Sequence, residues 1–293
     1  MSRDVQSAWP DQASKLRRMA QARTAAGESG RLVSITSGKG GVGKTNIAVN
    51  VAIAMAARGH RVLLVDMDMG LANADVLLGI DVRLNWWHVL RGGREIGEAI
   101  VPAGGGIDVL AGGSGLSGLA DLSEFERHRL LQDLDSVRGS YTVILLDCGA
   151  GISRNVLTFG LAADLVVVVT TPEPTAMTDG YAMIKMLSQS SADRTIGLVV
   201  NQAASRGEAR RVYERIAGVA ARFLRFPLAD LGYVLQDEAV SFAVRQRRPV
   251  LVGQAGSVAG RCLTAVAERI AREQGLPVGG TSLLRRVANL FLE

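Results

Sequence analysis

The sequence predicts an α/β protein in three layers, with a mainly parallel sheet held between helices. Apolar strands alternate with helix-forming stretches along most of the chain. Strands such as Leu165-Val166-Val167-Val168-Val169 are apolar on both faces, the pattern of parallel strands covered above and below. A glycine-rich loop, Gly38 to Thr45, runs from the first strand straight into a helix-forming stretch.

The elements follow in order. A strand is predicted over Leu32 to Thr36, a helix over Lys44 to Arg58 and a strand over Arg61 to Asp66. After a Gly-rich irregular stretch come a helix over Ser123 to Arg138 and strands over Thr142 to Asp147 and Asp164 to Thr170. A helix over Thr178 to Ser188, a strand over Ile196 to Asn201, a helix over Glu208 to Arg222 and a short strand over Phe223 to Pro227 complete the alternation. Ser257 then caps a helix that runs to about Glu273. The first thirty residues are polar, with a short helical stretch from Asp11 to Arg23 and a Gly27-Glu28-Ser29-Gly30 break. We therefore expect a tethered arm over 1–30, one main domain over 31–274, and a linker with a separate terminal segment over 275–293.

Composition bounds the function. At 293 residues and 48% hydrophobic the chain can bury one large core. A formal charge of +5 favours anionic partners, whether nucleotide, acidic lipid or nucleic acid, without choosing among them. Cys148 and Cys262 stand far apart, which suggests neither a disulfide framework nor a Cys-rich metal site and reads as a reduced, cytosolic chain. Neither the Met1 to Ala20 stretch nor any later run has the apolar length of a leader or a membrane span, so membrane contact is expected to be peripheral.

Gly38-Lys39-Gly40-Gly41-Val42-Gly43-Lys44-Thr45 satisfies G-x-x-x-x-G-K-[ST] in its required setting. The glycines let successive backbone N–H groups face phosphate oxygens, and the following helix adds its positive N-terminal dipole. Lys44 is expected to reach the β and γ phosphates, and the Thr45 hydroxyl to ligate Mg²⁺. The nucleotide-binding set is thus Gly38, Lys39, Gly40, Gly41, Val42, Gly43, Lys44 and Thr45. A second lysine, Lys39, makes the loop resemble the deviant Walker A of the MinD/ParA family, the SIMIBI ATPases. That resemblance implies a three-layer P-loop NTPase fold, ATP hydrolysis, and a Lys39 that contacts the partner subunit's nucleotide in an ATP-dependent homodimer.

Two further strands end in carboxylates at the sheet edge where ligands bind in such folds: Asp66 and Asp68 after Arg61 to Val65, and Asp147 after Val143 to Leu146. Hydrolysis needs a group that orients water in line with the γ phosphate. The resemblance implies that Asp68 takes this role beside the catalytic lysines Lys39 and Lys44, that Asp66 supports it near Mg²⁺, and that Asp147 is the Walker B residue holding the metal. The metal set is thus Thr45, Asp66 and Asp147. Cys148-Gly149-Ala150-Gly151 permits a mobile switch loop, with Cys148 read as a packed thiol. Asn201, at another strand end, offers an amide able to pair with both the donor and the acceptor of adenine, and the resemblance supports it as the base reader. The chain lacks the N/T-K-x-D guanine motif, which favours ATP over GTP.

Three local features resemble one branch of the family, the flagellar-number regulators called FlhG or FleN. Thr171-Pro172-Glu173-Pro174-Thr175-Ala176-Met177-Thr178-Asp179-Gly180-Tyr181-Ala182 is similar to that branch's T-P-E-P-T-A-x-T-D-A-Y-A stretch, with Gly180 for Ala. Physically it is a turn with fixed prolines before Thr178 caps a helix. Asp11-Gln12-Ala13-Ser14-Lys15-Leu16-Arg17 resembles the D-Q-A-x-x-L-R element through which the branch engages and activates the SRP-type GTPase FlhF. In Ser282 to Glu293, Leu283, Leu284, Val287, Leu290 and Phe291 share one helical face and Arg285, Arg286 and Asn289 the other, an amphipathic pattern suited to an acidic lipid interface. The expected location is the cytoplasm, peripheral on the inner face of the cell membrane when ATP-bound.

Rival readings share the core. A ParA-type DNA-segregation ATPase could use Arg206, Arg210, Arg211 and Arg215, or Arg245, Arg247 and Arg248, on DNA phosphates, but these arginines equally suit a solvated helix face and DNA is disfavoured. A MinD division-site regulator would share the terminal helix; the Asp11 to Arg17 element argues against it. A nucleotide-dependent scaffold without hydrolysis is the reading from a different class, and Asp68 favours turnover.

Overall fold

The computed structural model describes residues 30–69, 72–113, 122–190 and 195–273. The strands are β1 (Arg31–Ser37), β2 (Val62–Met67), β3 (Ile100–Ala103), β4 (Ile107–Leu110), β5 (Val143–Ala150), β6 (Leu165–Thr170), β7 (Thr195–Ala203) and β8 (Ala229–Leu235). The helices are α1 (Lys44–Ala56), α2 (Ala74–Leu78), α3 (Trp86–Leu90), α4 (Ile96–Ala99), α5 (Glu124–Val137), α6 (Arg154–Ala162), α7 (Pro174–Ser190), α8 (Arg206–Val219), α9 (Glu238–Arg245), α10 (Val250–Gly253) and α11 (Val258–Arg272). One eight-stranded sheet results, in the order β3-β4-β2-β5-β1-β6-β7-β8. Every neighbouring pair is parallel except β3 with β4.

Side-chain alternation along the strands builds a separate core on each face. On one side Leu32, Leu63, Val65, Ile144, Leu146, Val166 and Val168 meet α5 through Leu130 and Leu134, α6 through Phe159, α7 through Met183 and α8 through Val212. On the other, Val33, Ile35, Leu64, Leu145 and Val167 meet α1 through Ile47 and Val51 and α11 through Leu263 and Val266. The two faces together make the three layers expected of uniformly apolar strands.

The strands and long helices lie within a few residues of their expected places, with three differences. No strand forms over Phe223 to Pro227. Instead α8 continues through a π-helical turn, Ala220–Leu224, and ends at Arg225 in the left-handed region, with the eighth strand only from Ala229. Phe226 and Leu228 are buried without strand pairing, so burial alone produced the strand-like signal there. In the Gly-rich stretch after β2, Ile100–Ala103 and Ile107–Leu110 form an antiparallel hairpin across Gly104 to Gly106, of which Gly105 and Gly106 take positive φ. Finally, α7 begins at Pro174 and not at Thr178, with proline in the first turn where a missing N–H costs nothing. Thr178 does not cap the helix: its hydroxyl donates to the Pro174 carbonyl at 3.0 Å.

The Asp11 to Arg17 element and the Ser282 to Glu293 segment lie outside the described residues. Among the described residues, no helix is long and apolar enough to cross a membrane.

Candidate active site

The loop from Gly38 to Gly43 leaves β1 at the carboxyl edge of the sheet and enters α1 with Gly43 in the left-handed region at φ 87°. No side chain caps the start of α1 and its first turn carries no acidic residue. Its N–H groups and dipole are therefore left for an anion. Gly38 is required by packing: a Cβ there would fall 2.1 Å from the backbone carbonyl of Asp179 in α7. Gly43 is required twice over, by its φ and by the Asn201 amide, whose nitrogen would lie 2.4 Å from an added Cβ.

Asn201, expected as the base reader, is buried at the end of β7 against the loop, and its Nδ2 donates to the Val42 carbonyl at 2.7 Å. One of its donors thus supports the loop backbone. Lys44 is buried, whereas Lys39 is partly exposed and turned toward α7, where its Nζ donates to Glu173 Oε1 at 2.6 Å and Thr175 Oγ1 at 2.8 Å. The Lys39 contact holds the Glu173 carboxyl below its usual range. Glu173 and Thr175 stood in the quoted Thr171 to Ala182 stretch, but as parts of a turn; that stretch gave no sign of their pairing with the loop lysine.

The carboxylates meet at the ends of β2 and β5, where Asp66 and Asp147 are register partners. Asp147 is buried, and among the described residues neither of its oxygens accepts a well-formed hydrogen bond. Burial raises its proton affinity, while the Lys44 ammonium and the Thr45 hydroxyl close by lower it. Asp66 is raised too, first by burial and then by the Asp147 charge. Unlike Asp147, it is fully engaged: Oδ1 accepts from the Asp68 N–H at 3.0 Å, and Oδ2 from Asn73 and Ala74 at 2.9 and 3.0 Å. Asp66, expected as a supporting carboxylate near the metal, thus accepts from backbone on both oxygens and so orders the Asp68 N–H and the start of α2. Trp86, which sequence reasoning passed over, fixes the same strand end by donating its Nε1–H to the Asp66 carbonyl at 2.8 Å.

Of the segment expected as a switch loop, Gly149 and Ala150 still belong to β5 and Gly151 lies just beyond it; Asp68 faces this segment, with its carboxylate 3.8 Å from where a Cβ on Gly149 would sit. That loop is tied to β1 beside the phosphate loop: Gly151 N–H donates to the Ser37 carbonyl at 2.9 Å and Thr36 Oγ1 to the Gly149 carbonyl at 3.3 Å. Cys148 is buried with its sulfur 3.3 Å from Ser34 Oγ, and burial pushes its thiol up to about 12, as befits a packed and unreactive group.

A buried carboxylate left unbonded opposite a lysine and a threonine hydroxyl fits a hydrated divalent cation at the mouth of a phosphate cradle. The family model described as "AAA domain" matches residues 30–196. The chain is 35% identical to the antiactivator FleN of Pseudomonas aeruginosa over 82% of its own length and 86% of that protein's. It belongs to the MinD/ParA family of P-loop ATPases.

Within that family, the flagellum site-determining protein YlxH of Helicobacter pylori is 37% identical over 74% of each chain. Among solved structures, the cell division ATPase MinD of Pyrococcus furiosus superposes with a TM-score of 0.68 at 26% identity, covering 83% of this chain and 99% of that one. The septum site-determining protein MinD of Pyrococcus horikoshii, complexed with Mg-ADP, gives 0.69 at 24% identity over 83% and 96% and supports the fold.

Proposed function

We propose that this chain hydrolyses ATP as a nucleotide-gated dimer and that its cycle governs the number or placement of flagella. The observation that carries the chemistry is the convergence of Lys44, Thr45, Asp68 and the unbonded Asp147 on one phosphate cradle. The likeness to FleN and YlxH supports the flagellar setting.

The roles follow from position. Backbone N–H groups of Gly40 to Thr45 and the Lys44 ammonium bind and orient the triphosphate. Thr45 and Asp147 would hold Mg²⁺, which supplies neutralisation of charge on the β and γ oxygens when bound. Asp68 accepts a hydrogen bond from the attacking water and holds it in line, while Asp66 sets the Asp68 backbone from below. Lys39 moves from Glu173 and Thr175 to the partner subunit's nucleotide, and Asn201 reads adenine with the amide atoms that Val42 does not use.

We assign 1–30 to an arm that engages and activates an FlhF-type GTPase through Asp11 to Arg17. Residues 31–274 form the ATPase domain, and 275–293 a linker with an amphipathic helix, Ser282 to Glu293, for an acidic membrane surface on the cytoplasmic side. The likeness of these segments to the flagellar branch supports both assignments.

The test pairs two variants in sedimentation and turnover assays with ATP and Mg²⁺. Asp68→Ala is expected to bind ATP, hydrolyse it slowly and accumulate as a dimer, because the cradle survives while the water loses its acceptor. Lys39→Ala is expected to bind ATP and stay monomeric. Near-normal turnover by the first, or an ATP-induced dimer of the second, overturns the corresponding role.

A further inference from the structure

Met69, the residue after Asp68, is buried, and its sulfur receives a hydrogen bond from Asn155 Nδ2 at 3.0 Å. Asn155 stands in the first turn of α6, which follows the switch loop through its Ser153 cap, and is 4% exposed. Its Oδ1 accepts from Arg127 Nη1 of α5 at 3.2 Å. Arg127 is 7% exposed; the same nitrogen donates to the Leu122 carbonyl, and Nε is buried without a partner among the described residues. No ion pair among the described residues includes Arg127.

Such a group is a poor device for stability. Its hydrogen bonds among the described residues go to neutral acceptors, with the Glu126 charge felt nearby, and a buried guanidinium so placed is often no more stable than an apolar filling of the same volume. What it supplies is direction. Arginine donates and never accepts, so the Asn155 amide must present its oxygen to Arg127 and its nitrogen to Met69. One side chain therefore ties the segment carrying Asp68 to the helix that the switch loop, Gly149 to Gly151, leads into. We infer that Asn155 is a positioning residue for hydrolysis, with Arg127 fixing its amide so that the Asp68 segment and the switch loop reach the γ phosphate as one body. This rests on the reading of Asp68 as the water-positioning residue.

Asn155→Asp separates position from packing. The new carboxylate is isosteric and gains Arg127 as a counter-ion, so the fold is kept, but it has no N–H for Met69. Met69→Leu breaks the same contact from the other side at nearly constant volume. Since a misplacement of about 1 Å can cost on the order of a hundredfold in rate, each variant is expected to lower kcat about tenfold or more. KM for ATP and the melting temperature should change little. The double variant should be no slower than the worse single one, because both remove one contact.

Hydrogen exchange gives an arm independent of turnover. On binding a non-hydrolysable ATP analogue with Mg²⁺, the amides of residues 67–69 and 149–153 should slow together in the unaltered chain, and only 149–153 in Asn155→Asp. Asp68→Ala, run alongside, tests the underlying reading: its normal turnover would sink the role of Asp68 but leave the exchange result to decide the tie. Unchanged kcat in Asn155→Asp while Asp68→Ala is slow, additive losses in the double variant, or joint protection surviving in Asn155→Asp would each overturn the inference.

Discussion

Asp66 and Asp147 are register partners at two strand ends, yet they are treated in opposite ways. Three backbone N–H groups satisfy Asp66, while Asp147 has none. The sequence shows two aspartates after apolar strands and cannot show which accepts from backbone, because two of the three donors, Asn73 and Ala74, lie several residues further along. Both carboxyls hold their protons more tightly in the folded chain than in the unfolded one, through burial above all. Above about pH 4, the ordinary carboxylate value, these two groups hold more protons in the folded chain than in the unfolded one, so their contribution to nucleotide-free stability falls as pH rises until both native groups have ionised. Each pH unit across that window is worth about 1.4 kcal/mol per group. Asp147→Asn is therefore expected to stabilise the nucleotide-free protein at pH 8, on the order of 1–3 kcal/mol in urea unfolding, with the gain vanishing near pH 4. The same variant should lose the Mg²⁺ dependence of nucleotide affinity. An Asn variant no more stable than the parent at pH 8 would show that the carboxylate is solvated or paired.

At the scale of elements, the site is a junction of β1, the phosphate loop, α1 and the start of α7. The close approach of Gly38 to the Asp179 carbonyl joins the two halves, since backbone on both sides leaves no flexible end to yield. Gly38→Ala is expected to displace the loop from α7 and lower ATP affinity by about a hundredfold or more, an energetic cost of roughly 2.7 kcal/mol or more, while far-UV dichroism and the unfolding midpoint of the apo protein change little. Calorimetric binding within threefold of the parent would mean that the loop shifts freely. The loop itself was plain in the sequence because its glycines, lysine and threonine are contiguous. The pairing of Lys39 with Glu173 and Thr175 was hidden, being a contact across more than a hundred residues. The β3–β4 hairpin was hidden for another reason: its strands are four residues each and its turn is three glycines, so neither period nor length separates it from loop. Phe223 to Pro227 misled in the opposite direction, with core-facing Phe226 imitating a strand where the chain was still leaving a helix.

For the whole molecule, the two-faced strands made the layers legible, whereas the strand order, with β5 and β6 flanking β1, depends on crossovers that no single segment encodes. The carboxyl edge of this sheet carries the nucleotide site, and the proposed ATP-driven dimer would pair two copies of the terminal segment. If Ser282 to Glu293 is an interfacial helix, one copy contributes a weak contact, and two in a dimer act together through effective concentration. ATP-bound Asp68→Ala, held as a dimer by slow hydrolysis, is thus expected to co-sediment with liposomes rich in anionic lipid, and the ADP form to remain in the supernatant. Arg285 and Arg286 make the binding depend on acidic headgroups and weaken with salt. Leu284→Glu or Phe291→Glu should abolish it, because each forces a charge into the apolar layer without touching the nucleotide site, and ATP-driven dimerisation should persist in both. Equal sedimentation with ATP and ADP on acidic and neutral lipid alike would make the segment a structural helix and would uncouple membrane contact from the nucleotide cycle.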